Sequence, residues 1–399
     1  GQLREHLKAG WQATTQQPLV NALTTEHALQ PFSTRYFAAD SGYFTYAKEW
    51  AQNFMSDTDR LPSPSYPTYR TAVLEPQTVS LAQFQRFMRN PVESFLHEQL
   101  QVNLRRYANE LEDTEPFALD ALQVFSIKRQ VLNQATARLS PEHSAEQYVQ
   151  AELQRLQGQG ILPLAGFAEH CILQMQAGLV EQLTSYQQLI KEWPYLNQQP
   201  KPLSYQYRST ELTGWLGGLR QEAANSSELA AIYLEPNVLK KGNNWRAHRL
   251  LNAYITHVLA AANGINLTSI IQSEGMQVIF QPEPQLPAQQ QVQEWLEIWE
   301  QHLLEPLPIA QKTAFVFLEA LAKEPLEAST EQAQQQAKKT YEGDDYQVTG
   351  EVQQSPALAR FYPDFTALSA DQRFFQLAHV LYAALHRSLT LAGVKQEDN

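Results

Sequence analysis

Pro202-Leu203-Ser204-Tyr205-Gln206-Tyr207-Arg208 alternates apolar and polar side chains, the period of a strand with one buried face. The stretch decides the fold because the chain from Ser80 up to it repeats at helical spacing instead. Two more strands are predicted downstream, over 212–219 and 229–234. A long apolar helix follows over 245–262, then short strands over 267–271 and 277–280. Helices, a cluster of strands and helices again make an α+β chain built around one small mixed sheet.

Toward the N-terminus, Ser80 and Gln83 form a capping-box pair ahead of Leu81, Phe84, Phe87 and Met88 at helical spacing. Asn90-Pro91 ends that helix and begins another, with Asn90 as N-cap, Pro91 in the first turn and Glu93 closing the box. Further helices are predicted over 118–135, 145–156 and 164–189. Pro62, Pro64 and Pro67, set among serines and tyrosines, mark a linker or extended arm. Before them lie an N-terminal helix and the aromatic-rich irregular stretch LQPFSTRYF, 29–37.

Toward the C-terminus, Pro282, Pro284 and Pro287 read as a second linker. The remainder is helical. It ends in a helix opened by a Ser369/Gln372 box, with Phe374, Leu377, Leu381 and Leu385 on one face and Gly393 as its stop. The expected organisation is an arm over 1–70 and a domain over 71–399, helical at 80–193, sheet at 203–280 and helical at 288–393.

The 399 residues suffice for two well-cored domains. The sequence opens on Gly1 with no apolar run behind it and has no stretch of membrane-spanning length, so neither a secretory signal nor a membrane anchor is expected. Cys171 is the single cysteine, which excludes internal disulfides and multi-cysteine metal sites. His170 beside it leaves a coordination shell unfilled. A reducing cytoplasm is the expected setting. Net charge −12 with 43% hydrophobic residues suits a globular protein and argues against a free-standing, non-specific DNA binder.

Six segments, in order, resemble one family. They are EHALQPFSTRYF (26–37), FMRNPVESFL (87–96), EPFALDAL (115–122), QGQGILPLAGFAE (157–169), WRAHRLLNAYITHVLAAANG (245–264) and EPLPIAQKTAF (305–315). Each is weak alone; together they resemble the exodeoxyribonuclease V gamma chain, RecC, over nearly the whole sequence. The resemblance implies a domain of restriction-endonuclease-like, PD-(D/E)XK-type fold that serves as structure rather than catalyst. It also implies partners, the beta and alpha subunits RecB and RecD together with double-stranded and forked DNA, and helicase-like domains upstream of this piece. No GxxxxGK[ST] motif occurs, so no P-loop ATP site and no cofactor are expected.

A nuclease of that fold needs an Asp at the end of one core strand, an Asp or Glu on the next, and a Lys two residues beyond it. The carboxylates hold Mg²⁺ against the scissile phosphate and the Lys positions the attacking water. Here the matching strand reads Gly214-Trp215-Leu216-Gly217, placing Gly217 where the first Asp belongs. The next ends Leu234-Glu235-Pro236-Asn237, so Glu235 keeps one acid and Asn237 replaces the Lys. One carboxylate anchors Mg²⁺ poorly, and the site reads as degenerate, with no metal. An active nuclease with relocated acids would have to draw on Glu211, Glu228 and Glu235.

From Pro236 to Ser273 the acidic chain carries no Asp or Glu. That run holds Lys240, Lys241, Trp245, Arg246, His248 and Arg249, cations beside an aromatic that suit phosphate contact and base stacking. The competing assignment is a buried Trp245 in a solvated helix start, although cations there oppose the helix dipole. Glu342, Asp344 and Asp345 around Gly343 read as a solvated turn, since no EF-hand spacing follows. Trp295 and Trp299 form a core or subunit-facing stripe; together with 31–50 they are the expected apolar docking surface. The function expected is a non-catalytic module that docks its partners and guides or splits DNA. A purely structural docking domain is the alternative that makes no DNA contact.

Overall fold

The computed structural model describes residues 2–10, 19–30, 33–38, 42–43, 45–46, 76–104, 119–140, 142–163, 166–224, 226–242, 244–322, 329–344 and 349–391. The proline arm at 62–67 and Gly393 lie outside the described residues. The chain divides into two compact units, 1–70 and 71–399.

The first unit holds helices α1 (Gln2–Gly10) and α2 (Leu19–Leu23) and a 3-10 turn at Thr34–Tyr36. His27 stacks on Tyr36 with ring centres 6.1 Å apart, Tyr43 meets Tyr36 edge-on at 5.7 Å, and Arg35 lies 4.8 Å above the Tyr43 ring.

The second unit opens with a strand the sequence pattern does not announce, β1 (Gln77–Ser80). Helices α3 (Leu81–Arg89) and α4 (Pro91–Glu98) follow. The Ser80–Gln83 capping box forms as expected, and Asn90 caps α4 by accepting from Glu93 N. Phe84, Phe87 and Met88 are all fully buried. Helices α5 (Ala121–Arg138), α6 (Ala145–Gly158) and α7 (Gly166–Glu192) make a helical layer with its own core around Val131, Leu132, Leu153 and Leu183.

The strands are β2 (Tyr195–Leu196), β3 (Lys201–Tyr207), β4 (Thr210–Leu216), β5 (Arg220–Gln221), β6 (Leu229–Leu234), β7 (Lys240–Lys241), β8 (Asn244–Trp245), β9 (Leu267–Ser273) and β10 (Met276–Phe280). They do not form the single mixed sheet expected. A three-stranded sheet runs β1-β4-β3, a five-stranded sheet β10-β9-β6-β5-β2, and β7-β8 stands apart as a ribbon.

The register shows why the sheet divides. Tyr195 pairs with Gln221 and Leu196 with Arg220, whereas Lys201 pairs with Leu216 and Pro202 with Trp215. The two ladders differ in register by one residue. Gln198, Gln199 and Pro200 therefore oppose Gly217 and Gly218, and the extra residue acts as a bulge that bends one long hairpin into two sheets. Gly218 makes the bend at φ +68, where a side chain would be strained. The strand expected over 212–219 is thus broken at 217–219.

In the five-stranded sheet, β6 and β9 run parallel, joined through α8 (Leu251–Ala262). Leu229, Ala231, Leu267 and Ile271 face the core that includes α8. Ala230, Ile232, Leu234 and Ile270 face α7 and its neighbours. Both faces are covered, as a parallel pair requires.

The linker expected at Pro282, Pro284 and Pro287 is no more than the four-residue connection 281–284 that follows β10. Pro284 sits at the N-cap of α9 (Gln285–His302) and Pro287 in its first turn, positions that lose no helical hydrogen bond. Trp295 and Trp299 on α9 are each 1% exposed, packed against Phe84 and Phe87. They are core, so these two rings offer no exposed apolar surface for docking; half of 31–50 lies outside the described residues. Helices α10 (Gln311–Ala322), α11 (Ser329–Glu342), α12 (Glu351–Gln354), α13 (Pro356–Phe361), α14 (Phe365–Ser369) and α15 (Arg373–Leu391) complete the unit. The Ser369/Gln372 box does not form. Ser369 ends α14 and bonds Phe365 O, Gln372 has φ +62, and Asp371 Oδ1 accepts from Arg373 N instead. Phe374, Leu377, Leu381 and Leu385 are buried on one face of α15 as expected.

Candidate functional site

Glu235 follows the last residue of β6, at the carboxyl end of the parallel pair, where side chains of an open sheet converge. Its backbone is fixed on both sides. Glu235 N donates to Gln272 O at 2.9 Å, and Glu235 O accepts from Gln182 Nε2 at 2.9 Å. Gln182 also donates to Gln272 O at 2.7 Å. This buried glutamine on α7 is invisible in the sequence, because a mid-helix Gln carries no signal of the carbonyls it will meet.

The Glu235 carboxylate is already engaged. Oε1 accepts from Arg249 Nη1 at 3.1 Å and from Asn237 N at 3.3 Å. Both side chains of the ion pair are 19% exposed. Burial pushes the Glu235 carboxyl above its ordinary range, and Arg249 offsets part of that rise. Burial likewise lowers the Arg249 guanidinium, and Glu235 opposes the shift.

Gly217 lies in the break between β4 and β5. The antiparallel register Arg220↔Ala230 would set it level with Tyr233 if the strand ran straight, close to the same end of β6. No carboxylate is supplied from that position. Glu228 stands just before β6, at the opposite end from Glu235, roughly 20 Å away along a strand rising about 3.3 Å per residue. Glu211 belongs to the other sheet and accepts from Ser204 Oγ at 2.7 Å. The three glutamates do not converge. Among the described residues no group of three or more His, Cys, Asp or Glu is placed to hold a metal ion. Glu342 accepts from Phe365 N, and Asp344 pairs with Lys339 at 3.6 Å; Asp345 lies outside the described residues.

The basic run is not the start of a helix. Lys240 pairs with Trp245 and Lys241 with Asn244 across the β7–β8 hairpin, a 3-10 turn covers Ala247–Arg249, and α8 begins only at Leu251. Gly242 at φ +59 opens the tight turn. Cations in the first turn of α8 would oppose its dipole, and the hairpin moves Lys240, Lys241 and Arg246 away from it. Lys240 Nζ lies 5.3 Å from the Trp245 ring centre, and Trp245 is half-buried against the core. Arg246 is half-buried, and its backbone N donates to Leu239 O at 2.8 Å. His248 is pushed down to about 4, first by burial and then by the nearby Arg249, Lys312 and Arg246. Arg249 is committed to an internal carboxylate.

The family described as RecC C-terminal domain matches residues 76–322. The chain belongs to that family. The matched span begins one residue before β1 and ends with the last residue of α10, so it takes in both sheets, Glu235 and the hairpin of this RecC-type chain. The RecBCD enzyme subunit RecC of Escherichia coli (strain K12) is 32% identical over 147 residues, 37% of this chain. The match spans 12% of the length of that relative. Among the described residues no helix is long and apolar enough to cross a membrane.

Proposed function

We propose that this RecC-type chain is a non-catalytic module of a helicase–nuclease complex of double-strand break repair and recombination. It has a degenerate restriction-endonuclease-like core. It docks the RecB-type and RecD-type subunits and guides DNA during strand separation. The observation that carries the non-catalytic part is the Glu235–Arg249 pair at 3.1 Å. The acid left at the end of β6 is neutralised by an internal cation, with glycine and asparagine at the two other positions that need charge. Lewis-acid chemistry on phosphate needs more than one carboxylate free to hold the metal.

The guiding role is supported by the β7–β8 hairpin, where Lys240 and Trp245 stand together in a stretch free of acids. Phosphate neutralisation by cations combined with an aromatic face is how sequence-tolerant nucleic-acid surfaces are built. Reassembly with the two partner subunits tests the proposal. At saturating duplex, where a weakened DNA contact no longer limits the rate, the complex carrying Glu235→Ala should still degrade linear DNA as wild type does. A loss of cleavage at saturating DNA would place catalysis in this chain.

A further inference from the structure

We infer that Glu235 and Arg249 form a latch fixing the base of the β7–β8 hairpin, so that the acid at the end of β6 works as a positioning residue for the element that meets DNA. The inference rests on the DNA-facing role proposed for the hairpin, and its first readout does not depend on that role.

The ribbon is two residues per strand, too short to hold its own direction in water. Its orientation must come from where the chain leaves and re-enters the body of the domain. Those two points are joined twice. Arg246 N donates to Leu239 O at 2.8 Å, directly below the ribbon, where Leu239 and Leu250 are fully buried. One layer further in, a single carboxylate oxygen, Glu235 Oε1, accepts from Asn237 N on the outgoing chain and from Arg249 Nη1 on the returning turn.

The anchor itself does not move with the hairpin. Glu235 is held from behind by the β9 carbonyl of Gln272 and by Gln182 of α7. With each side chain 19% exposed, the pair is shielded far more than a surface ion pair, whose contribution is small. Removing one member strands the other as a partly buried charge. The same pairing that neutralises the old catalytic corner thus ties down the basic hairpin.

Hydrogen exchange on the intact chain tests this, comparing wild type with Glu235→Gln, Arg249→Met and the double variant. Exchange in peptides over 238–246 should speed by about ten-fold or more in each single variant. Peptides over β6 and β9 should keep their protection, and the double variant should be no faster than the singles, since both remove one link. Unchanged protection over 238–246 in both single variants would overturn the latch. So would an equal loss over 229–234 and 267–273, which would make the pair a core contact. Affinity for a forked duplex is read separately on the same variants. A loosened hairpin with unchanged affinity upholds the latch while removing the DNA-facing role.

Discussion

Glu351 of α12 holds the N-terminus of α10 through Thr313. One carboxylate oxygen accepts from Thr313 N at 2.8 Å and from Thr313 Oγ1 at 2.8 Å, and the other from Lys312 N at 3.0 Å. A helix start leaves such N–H groups without partners, and a carboxylate there also meets the positive end of the dipole. Charge-assisted bonds of this kind are worth more than neutral ones. Glu351→Ala should therefore lower the unfolding free energy by about 2–3 kcal/mol in a urea titration. A change under about 0.5 kcal/mol would show that water replaces the carboxylate.

Gly214 makes a second contact open to direct test. A Cβ built there would lie 2.8 Å from Leu81 Cβ, so the missing side chain is what lets α3 sit against β4. Gly214→Ala should destabilise by about 1–3 kcal/mol through overpacking. Pairing it with Leu81→Gly, which removes the Cβ that the new methyl meets, should recover part of the loss, because both changes act on one contact. Strict additivity in that cycle would contradict the packing account.

Three histidines make the fold acid-sensitive. His302 is fully buried among Phe87, Trp299 and Phe95, with no hydrogen-bond partner for either ring nitrogen among the described residues. Burial pushes it down to about 3, and pushes His257 and His248 down to about 4. Each folded value lies below the ordinary 6.5, so the unfolded chain takes up protons first. The stability they contribute is present above pH 6.5 and is lost as pH falls toward 4. At pH 5 the loss should be about 2 kcal/mol for each histidine. Buried Glu235 and Glu283 shift upward and oppose the fall, so the clean readout is a comparison. His302→Leu should flatten the pH dependence of unfolding between pH 7 and 5; an unchanged slope would contradict the burial account.

On forked DNA, the reassembled complex carrying Lys240→Ala/Arg246→Ala should bind more weakly and with a flatter salt dependence. Each lost phosphate contact removes about 0.7 to 0.9 from the log–log slope. The isolated chain, with net charge −12, should bind weakly at best. Equal slopes for wild type and variant would leave the hairpin without a phosphate role.

Much of this was legible where the signal is local. The Ser80–Gln83 box, the Asn90-Pro91 break and strands β6, β9 and β10 depend on neighbours within a few residues. What failed depends on distant partners. β1 is four residues long and exists through parallel pairing with β4, and the division of the sheet hangs on a one-residue register difference that no periodicity records. The apolar run of α8 extends back toward Trp245 and predicts a helix there, yet the Gly242 turn pairs it with Lys240 instead. At the candidate site, the resemblance singled out Glu235, Gly217 and Asn237, and Glu235 does follow the last residue of β6. Arg249 as the partner of Glu235 was not legible, since a 3-10 turn brings it back across the intervening hairpin.

Whether this chain cleaves DNA is read by incubating the purified protein with linear duplex and either Mg²⁺ or Mn²⁺. No time-dependent product is expected with wild type, Glu235→Ala or Arg249→Ala. Release of Glu235 from its cation alone supplies neither the second carboxylate nor the lysine that cleavage needs. Metal-dependent cleavage by the wild-type chain that disappears in Glu235→Ala would contradict the account.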